Sequence, residues 1–324
     1  MNPAERLKSL QKILPAIFFL LLFSTNLFSQ EENFLLPIAT IEKKLLFDEI
    51  NPIKIASLRT SENVTKRVTL EYADGASFQA KFRRSIAGGE TFNNQPRYEV
   101  AAYKFQKLIL DPEEYVVPPT VVRALPLSQY VKIDRDAVAT FDRLNIVLFV
   151  TQYWLSNIDH RKVFDKKRLQ MDSVYARSAG VTNIFAYLIN HNDSNEGNFL
   201  ISKNLDKPTV FAVDNGISFA SEASDRGHFW RELFIEQAPK KLIDRLRTLT
   251  EEKLNQELGA VVQLEITPGV IKNVELQQNP KPDLGVRRIG NVIQLGLTRR
   301  EISELSSRIR ALLRRVDSGR IKIY

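Results

Sequence analysis

Three oxygen-bearing side chains stand in an order that suits a hard cation. Asp193 and Asn198 lie five residues apart across a turn that contains Gly197, and Asp214 closes the apolar run Val210-Phe211-Ala212-Val213, just before Asn215-Gly216. Residues 198–202 and 209–213 read as two short strands around a turn at 204–208. A hairpin of that length folds the end of one strand beside the start of the other, so Asp193, Asn198 and Asp214 can converge. Mg²⁺ favours such oxygens together with phosphate oxygens. A base Asp, a metal-holding Asn five residues on and a second metal-holding Asp two residues before a Gly make the layout of a phosphoryl-transfer site. A calcium loop of the EF-hand kind is excluded, because its sixth and twelfth positions would be Asn198 and Asn204 instead of Gly and Glu. A plain polar turn would account for the segment 193–198 alone. It does not account for Asp214-Asn215-Gly216 at the right distance and order.

Two further segments belong with these. Phe78-Gln79-Ala80-Lys81-Phe82 sets a Lys inside an apolar strand, and Arg97-Tyr98-Glu99-Val100-Ala101-Ala102-Tyr103 sets a Glu in the first turn of a helix. Taken singly, Lys81 is an ordinary strand-edge Lys and Glu99 a carboxylate complementing the helix dipole.

The elements that must position these residues follow from periodicity. Residues 52–60, 64–72 and 77–82 read as strands, the last two joined at the Asp74-Gly75 turn. Residues 84–96 read as loop, punctuated by Gly88, Gly89 and Pro96. Residues 98–110 read as a helix with Val100, Ala101, Phe105, Leu108 and Ile109 on its apolar face. Residues 120–125 and 145–154 read as strands, the second nearly all apolar and so buried on both faces. Residues 181–188 form a helical or mixed apolar stretch. Beyond about residue 226 the pattern predicts mostly helix, with 266–291 a long loop broken by three prolines. The last helix is announced by the capping box Thr298/Glu301 and the stripe Ile302, Leu305, Ile309, Leu312. Trp154 and Trp230 read as core aromatics.

On these residues the chain resembles the atypical branch of the protein-kinase-like superfamily: the phosphatidylinositol 3- and 4-kinases and the secretory kinases of the Golgi casein kinase type. The segment from Asn183 to Ile189, followed by Asp193-x-Asn195-x-Gly197-Asn198-Phe199-Leu200, is similar to that branch's catalytic loop. Asp214-Asn215-Gly216 resembles its Asp-Phe-Gly counterpart, and the Arg97–Tyr103 run followed by Val116-Val117-Pro118-Pro119-Thr120 resembles its helix and next strand. The resemblance implies an α+β, two-lobed protein-kinase-like fold: a mostly antiparallel β N-lobe at 30–155 and a mainly helical C-lobe at 156–324. It implies ATP with Mg²⁺ or Mn²⁺ as cofactors and a hydroxyl acceptor on a protein, sugar or lipid headgroup. Lys81 would pair with Glu99 and hold the α/β-phosphates. Asp193 would orient or deprotonate the acceptor hydroxyl, and Asn198 and Asp214 would hold metal. Gln152, Tyr153 and Trp154 would form the hinge that meets adenine. The chain also departs from the family. Residues 51–74 contain no Gly, so any phosphate-covering turn falls on 59–63 without a Gly-rich motif. Ser194 stands where phosphoinositide kinases carry Arg, and no long activation segment follows Gly216. Two other readings share these residues: a catalytically inactive scaffold of the same fold, and AMP transfer with ATP bound in reverse.

Composition sets the outer bounds. The chain has 324 residues, 44% of them apolar and 26% charged, the mix of an ordinary folded protein. With no cysteine, disulfide frameworks, thiol nucleophiles and cysteine zinc sites are excluded. The net charge of +8 is scattered, with no long basic run, so no specific nucleic-acid partner is expected. Residues 1–29 carry Arg6, Lys8 and Lys12, then an apolar run from Ile13 to Phe23, then a polar stretch ending at Ser29. This reads as a signal peptide cut after Ser29 or as an uncleaved N-terminal anchor. Either sends the remainder across a membrane, to a periplasmic, secreted or secretory-lumen location, with membrane contact only through 1–29 if uncleaved. Two Asn-x-Ser/Thr sequons occur at Asn63 and Asn192, the second inside the proposed catalytic loop.

Overall fold

A computed structural model describes residues 33–58, 64–219, 229–267, 270–277 and 279–324. The segments 1–29 and 59–63 discussed above, with the Asn63 sequon, lie outside the described residues.

The period-2 pattern builds a five-stranded antiparallel sheet in the order β1-β2-β3-β5-β4. Its strands are β1 (Pro52–Ser57), β2 (Thr65–Glu71), β3 (Ser77–Arg84), β4 (Thr120–Pro126) and β5 (Ile146–Tyr153). β5 is buried along its whole length because it sits between β3 and β4, which explains its nearly continuous apolar sequence. Register assigns the faces. Lys81 lies opposite Arg67 on β2 and opposite Gln152 on β5, and Gln152 lies opposite Thr120 on β4. Side chains alternate across a strand, so Arg67, Gln79, Lys81, Arg83 and Gln152 share one face. The other face is apolar, carrying Val68, Leu70, Phe78, Ala80, Phe82 and Tyr153, all buried.

Two long helices adjoin the sheet. Helix α1 (Ile38–Phe47) packs by β4 and β5, and Arg123 of β4 donates to its carboxyl-end carbonyl of Leu45 and to that of Asp48. Helix α2 (Pro96–Ile109) starts with Pro at its first position, where a missing N–H costs nothing. Buried Gln106 ties α2 to the start of β4: its Oε1 accepts from Val116 and Val117 N–H, and its Nε2 donates to Val117 carbonyl. That satisfies backbone groups that Pro118-Pro119 would leave unpaired. The short helix α3 (Leu127–Tyr130) follows β4 directly.

Beyond β5 the chain changes character. Strand β6 (Ile158–Asp159) joins β7 (Phe199–Ser202) and β8 (Val210–Ala212) in a small antiparallel sheet. Helix α4 (Lys166–Met171) leads into α5 (Ser173–Leu188), which is capped by the Asp172 carboxylate accepting from Val174 and Tyr175 N–H. Then come β9 (Gln237–Ala238), α6 (Lys240–Arg247) and α7 (Glu251–Leu258). Helix α8 (Arg299–Asp317) carries the expected capping box, and β14 (Lys322–Ile323) pairs in parallel with β9.

One expectation is corrected. The stretch read as mostly helix, with a long loop at 266–291, holds a further antiparallel sheet, of four strands: β10 (Val262–Thr267), β11 (Val270–Asn273), β12 (Val286–Ile289) and β13 (Val292–Leu295), in the order β11-β10-β13-β12. Its strands are short and its central pair buries Gln263 and Gln294, hydrogen-bonded side chain to side chain at 2.9 Å. Val262, Leu264 and Ile266 alternate with Gln263, Glu265 and Thr267, a period-2 pattern that the prolines at 268, 280 and 282 overshadow in the sequence.

Candidate active site

Lys81 is the meeting point. Its ammonium lies 2.9 Å from Glu99 Oε1 and 3.0 Å from Asp214 Oδ1, although Asp214 is 133 residues away in sequence. The sheet face supplies Lys81, the first turn of α2 supplies Glu99, and the residue that closes β8 supplies Asp214. Glu99 is buried, and its second oxygen accepts the Asn215 N–H at 3.1 Å, so one carboxylate joins α2 to both other segments. Burial alone would push the Lys81 pKa down; the two carboxylates outweigh it and keep the ammonium charged. Burial likewise works against ionisation of Asp214, but Lys81 and Arg83 hold its carboxyl well below the usual carboxylate range. Asp214 takes a left-handed backbone, φ 57° and ψ 51°, a conformation that costs a non-glycine residue roughly 1–2 kcal/mol. The neighbouring Asn215–Glu99 bond helps to hold it.

The second half of the site is the turn after α5. Its entry residue Asn190 is also left-handed, at φ 51°. His191 is buried. Burial pushes its imidazole below the usual range, its Nε2 lies 3.3 Å from the Val213 carbonyl, and its Nδ1 has no hydrogen-bond partner. Its ring packs against Phe199, so it supports the loop from within. Asp193 is held at both ends: its Oδ1 accepts from Asn195 Nδ2 at 2.6 Å and its carbonyl from Asn198 Nδ2 at 2.8 Å. Asn198 also accepts, through its carbonyl, the Val213 N–H at 2.8 Å. That bond lashes the segment 193–198 to the residue before Asp214. With Nδ2 turned inward to Asp193, the opposite end of the Asn198 amide, Oδ1, is the atom left to meet a cation. Asn192 is buried and accepts from Arg231, so the sequon at this position is shielded from a glycan.

The hinge segment divides. Gln152 is buried on the Lys81 face and donates to Thr120 Oγ1 at 2.8 Å. Tyr153 points to the opposite face, stacked on Phe34, with its hydroxyl accepting Leu35 N–H at 2.9 Å. The N–H groups of Tyr153 and Trp154 are engaged by the carbonyls of Pro119 and Gln79. Trp154 carries the Arg67 guanidinium over its ring, 5.3 Å from the centroid. Trp230, by contrast, is a core aromatic, stacked on Phe199.

Two residues escaped the sequence reading as site residues. Arg83 projects from the same strand face as Lys81, and its Nη1 lies 2.7 Å from the same Asp214 oxygen. Period 2 from Lys81 would have found it. Glu301 was legible only as a helix cap, yet it receives the buried Arg97 guanidinium two residues before Glu99.

The donor set fits a divalent cation carried by a phosphate ligand. Asp214 and Asn198 offer a carboxylate and an amide oxygen, and Mg²⁺ commonly takes only one or two protein carboxylates with phosphates and water completing its shell. Among the described residues no group of three or more His, Cys, Asp or Glu is placed to hold a metal unaided.

Sheet, helix and hairpin in this order, around this junction, define a two-lobed protein-kinase-like α+β fold. Comparison with solved structures agrees. A structure of hydra Fam20 with sugar superposes with a TM-score of 0.52 at 12% identity, over 87% of this chain and 88% of that one. The Golgi casein kinase with Mn/ADP bound gives a TM-score of 0.48 at 11% identity, over 86% and 74%. No family model and no curated protein sequence matches the chain.

Proposed function

We propose that the chain is an ATP-dependent phosphotransferase that acts on a hydroxyl acceptor. The observation that carries this reading is the Lys81 junction, where three residues from distant segments meet in an order that phosphoryl transfer requires. In this reading the acceptor hydroxyl gives its proton to Asp193, its oxygen bonds to the γ-phosphorus, and the bond from phosphorus to the ADP oxygen breaks. Asp214 and Asn198 would hold Mg²⁺ or Mn²⁺, which would supply charge neutralisation at the phosphates. Lys81, oriented by Glu99, holds the α/β-phosphates. Gln152 and Trp154 face the base from the Lys81 side, while Tyr153 braces the segment from behind. Catalysis here is positioning and charge neutralisation. Residues 1–29 support an exported site of action.

The test supplies the full chain with ATP, Mg²⁺ or Mn²⁺, and protein, sugar and lipid-headgroup acceptors. ADP release with one phosphoryl mass added to an acceptor is the expected result. Pyrophosphate release with an AMP mass added would assign adenylyl transfer instead. Neither product with any acceptor, despite bound nucleotide, would favour a scaffold.

A further inference from the structure

We propose that Arg83 is a second phosphate-binding cation of this site, held on Asp214 until a nucleotide-borne metal takes that carboxylate. The inference rests on the phosphotransferase reading above and extends it to a residue that reading does not use.

Three observations carry it. First, Lys81 and Arg83 are two residues apart on β3 and reach the same oxygen, Asp214 Oδ1, at 3.0 and 2.7 Å. Both cations occupy Oδ1, so a metal ion arriving at the Asp214 carboxylate meets the repulsion of these two charges and competes with them for Oδ1. Lys81 has Glu99 as a second anionic partner at 2.9 Å. Among the described residues Arg83 has no second carboxylate within salt-bridge reach, and its Nη2 donates to the Asn93 carbonyl. Arg83 is therefore the cation that loses its counter-ion when metal takes Asp214.

Second, Arg83 Nε is buried with no hydrogen-bond partner among the described residues. Buried donors are normally paired. The contrast with two other arginines is direct. Arg97 engages Glu90 through Nε, and Glu301 through both terminal nitrogens. Arg84, on the opposite sheet face, donates through Nε to Asp134, which also pairs with Lys66. Those two guanidiniums are structural and use their Nε. The one beside Asp214 keeps its Nε unused in a charged cleft, and a guanidinium fork of this kind matches phosphate oxygens.

Third, the charges balance only without ligand. Lys81 and Arg83 face Glu99 and Asp214, two against two. Metal on Asp214 leaves a positive surplus at the place where phosphate oxygens would sit. Residues 51–74 contain no Gly, so a glycine-lined backbone cradle is not available from that hairpin to share the work. A second side-chain cation takes that part.

The test compares the full-length wild type with Arg83→Ala and Arg83→Lys. Mn²⁺ alone is titrated by its paramagnetic resonance, and ATP and adenosine are titrated by calorimetry in the presence of Mn²⁺. The proposal expects opposite signs. Arg83→Ala binds Mn²⁺ alone more tightly, because a competitor for Asp214 is gone, and binds ATP about 10–100-fold more weakly. Adenosine affinity stays unchanged, and Arg83→Lys retains part of the ATP affinity. Equal weakening of ATP and adenosine, or unchanged ATP affinity in a wild type that binds ATP, overturns the role of Arg83 alone. A wild type that binds no ATP with Mn²⁺ or Mg²⁺ overturns the phosphotransferase reading and this inference with it. If Arg83→Ala does not fold, the ATP-to-adenosine ratio in Arg83→Lys decides.

Discussion

The first turn of α2 carries two ionic clusters that differ in kind. Two residues before Glu99, Arg97 is buried and saturated. Its Nε lies 2.6 Å from Glu90, its Nη2 2.9 Å from both Glu301 and Gln95, and its Nη1 also reaches Glu301. The Tyr98 hydroxyl donates to the same Glu301 carboxylate, which in turn caps α8 by accepting the Thr298 N–H at 2.8 Å. Gly285 passes so close that a Cβ there would stand 2.2 Å from Arg97 Nε. Every guanidinium nitrogen of Arg97 has a partner. The Glu99 cluster is built from the same residue types and is not closed. The Asp214 side chain is 35% exposed, and one Arg83 donor is unpaired. The lesson is a division of labour within one turn: the closed cluster fixes the helix against the C-terminal half, so that the open one can exchange partners without moving Glu99.

The widest separation between the candidate site and the Arg97 cluster should come from conservative variants in each. Asp193→Asn is expected to lower turnover about 10²–10⁴-fold while leaving the melting temperature near wild type, as product assays and a thermal scan would show. Glu301→Gln should do the reverse. It leaves Arg97 buried beside a neutral partner, and breaking such a pair costs about 3–5 kcal/mol, readable in denaturant unfolding. The double variant Arg97→Met/Glu301→Met should recover much of that loss; no recovery would show that α2 needs the ions themselves. A smaller effect, about 1 kcal/mol, is expected for Thr298→Ala, which removes the cap that orients Glu301.

The smallest effect is in the pH dependence. Burial opposes ionisation of Glu301, but Arg97 holds its carboxyl below the usual range. The unfolded chain therefore takes up this proton first as pH falls. The stability from this group is complete above the ordinary carboxylate pKa of about 4.3 and disappears as pH falls through the folded value. Glu301→Gln should lack that component of the acid limb, and an unaltered limb would contradict the assignment.

How much of this was legible depended on whether local pattern and burial agreed. Lys81, Glu99, Asp193, Asn198 and Asp214 stood out because each sits at a fixed offset from a turn or an apolar run, and the structure brings Lys81, Glu99 and Asp214 into contact. β2, β3, β5 and α8 fell near their expected limits because one face of each is continuously apolar. Arg83 was overlooked although alternation along β3 from Lys81 sets it on the Lys81 face and Arg84 on the other. Arg97 and Glu301 lie 204 residues apart, and nothing in the sequence pairs them. The sheet of β10–β13 was missed although Val262, Leu264 and Ile266 alternate with polar residues, because its other strands are only four residues long and lie among Pro268, Pro280 and Pro282.

The most direct measurement is the melting temperature of the full chain with ATP, with and without Mg²⁺ or Mn²⁺, beside Asp214→Ala. A ligand that binds only the folded state at ~100 times its Kd adds about 2.7 kcal/mol. The account predicts a metal-dependent rise in the wild type that is lost in Asp214→Ala. No rise at millimolar ATP with either metal, or an equal rise in both proteins, would contradict it.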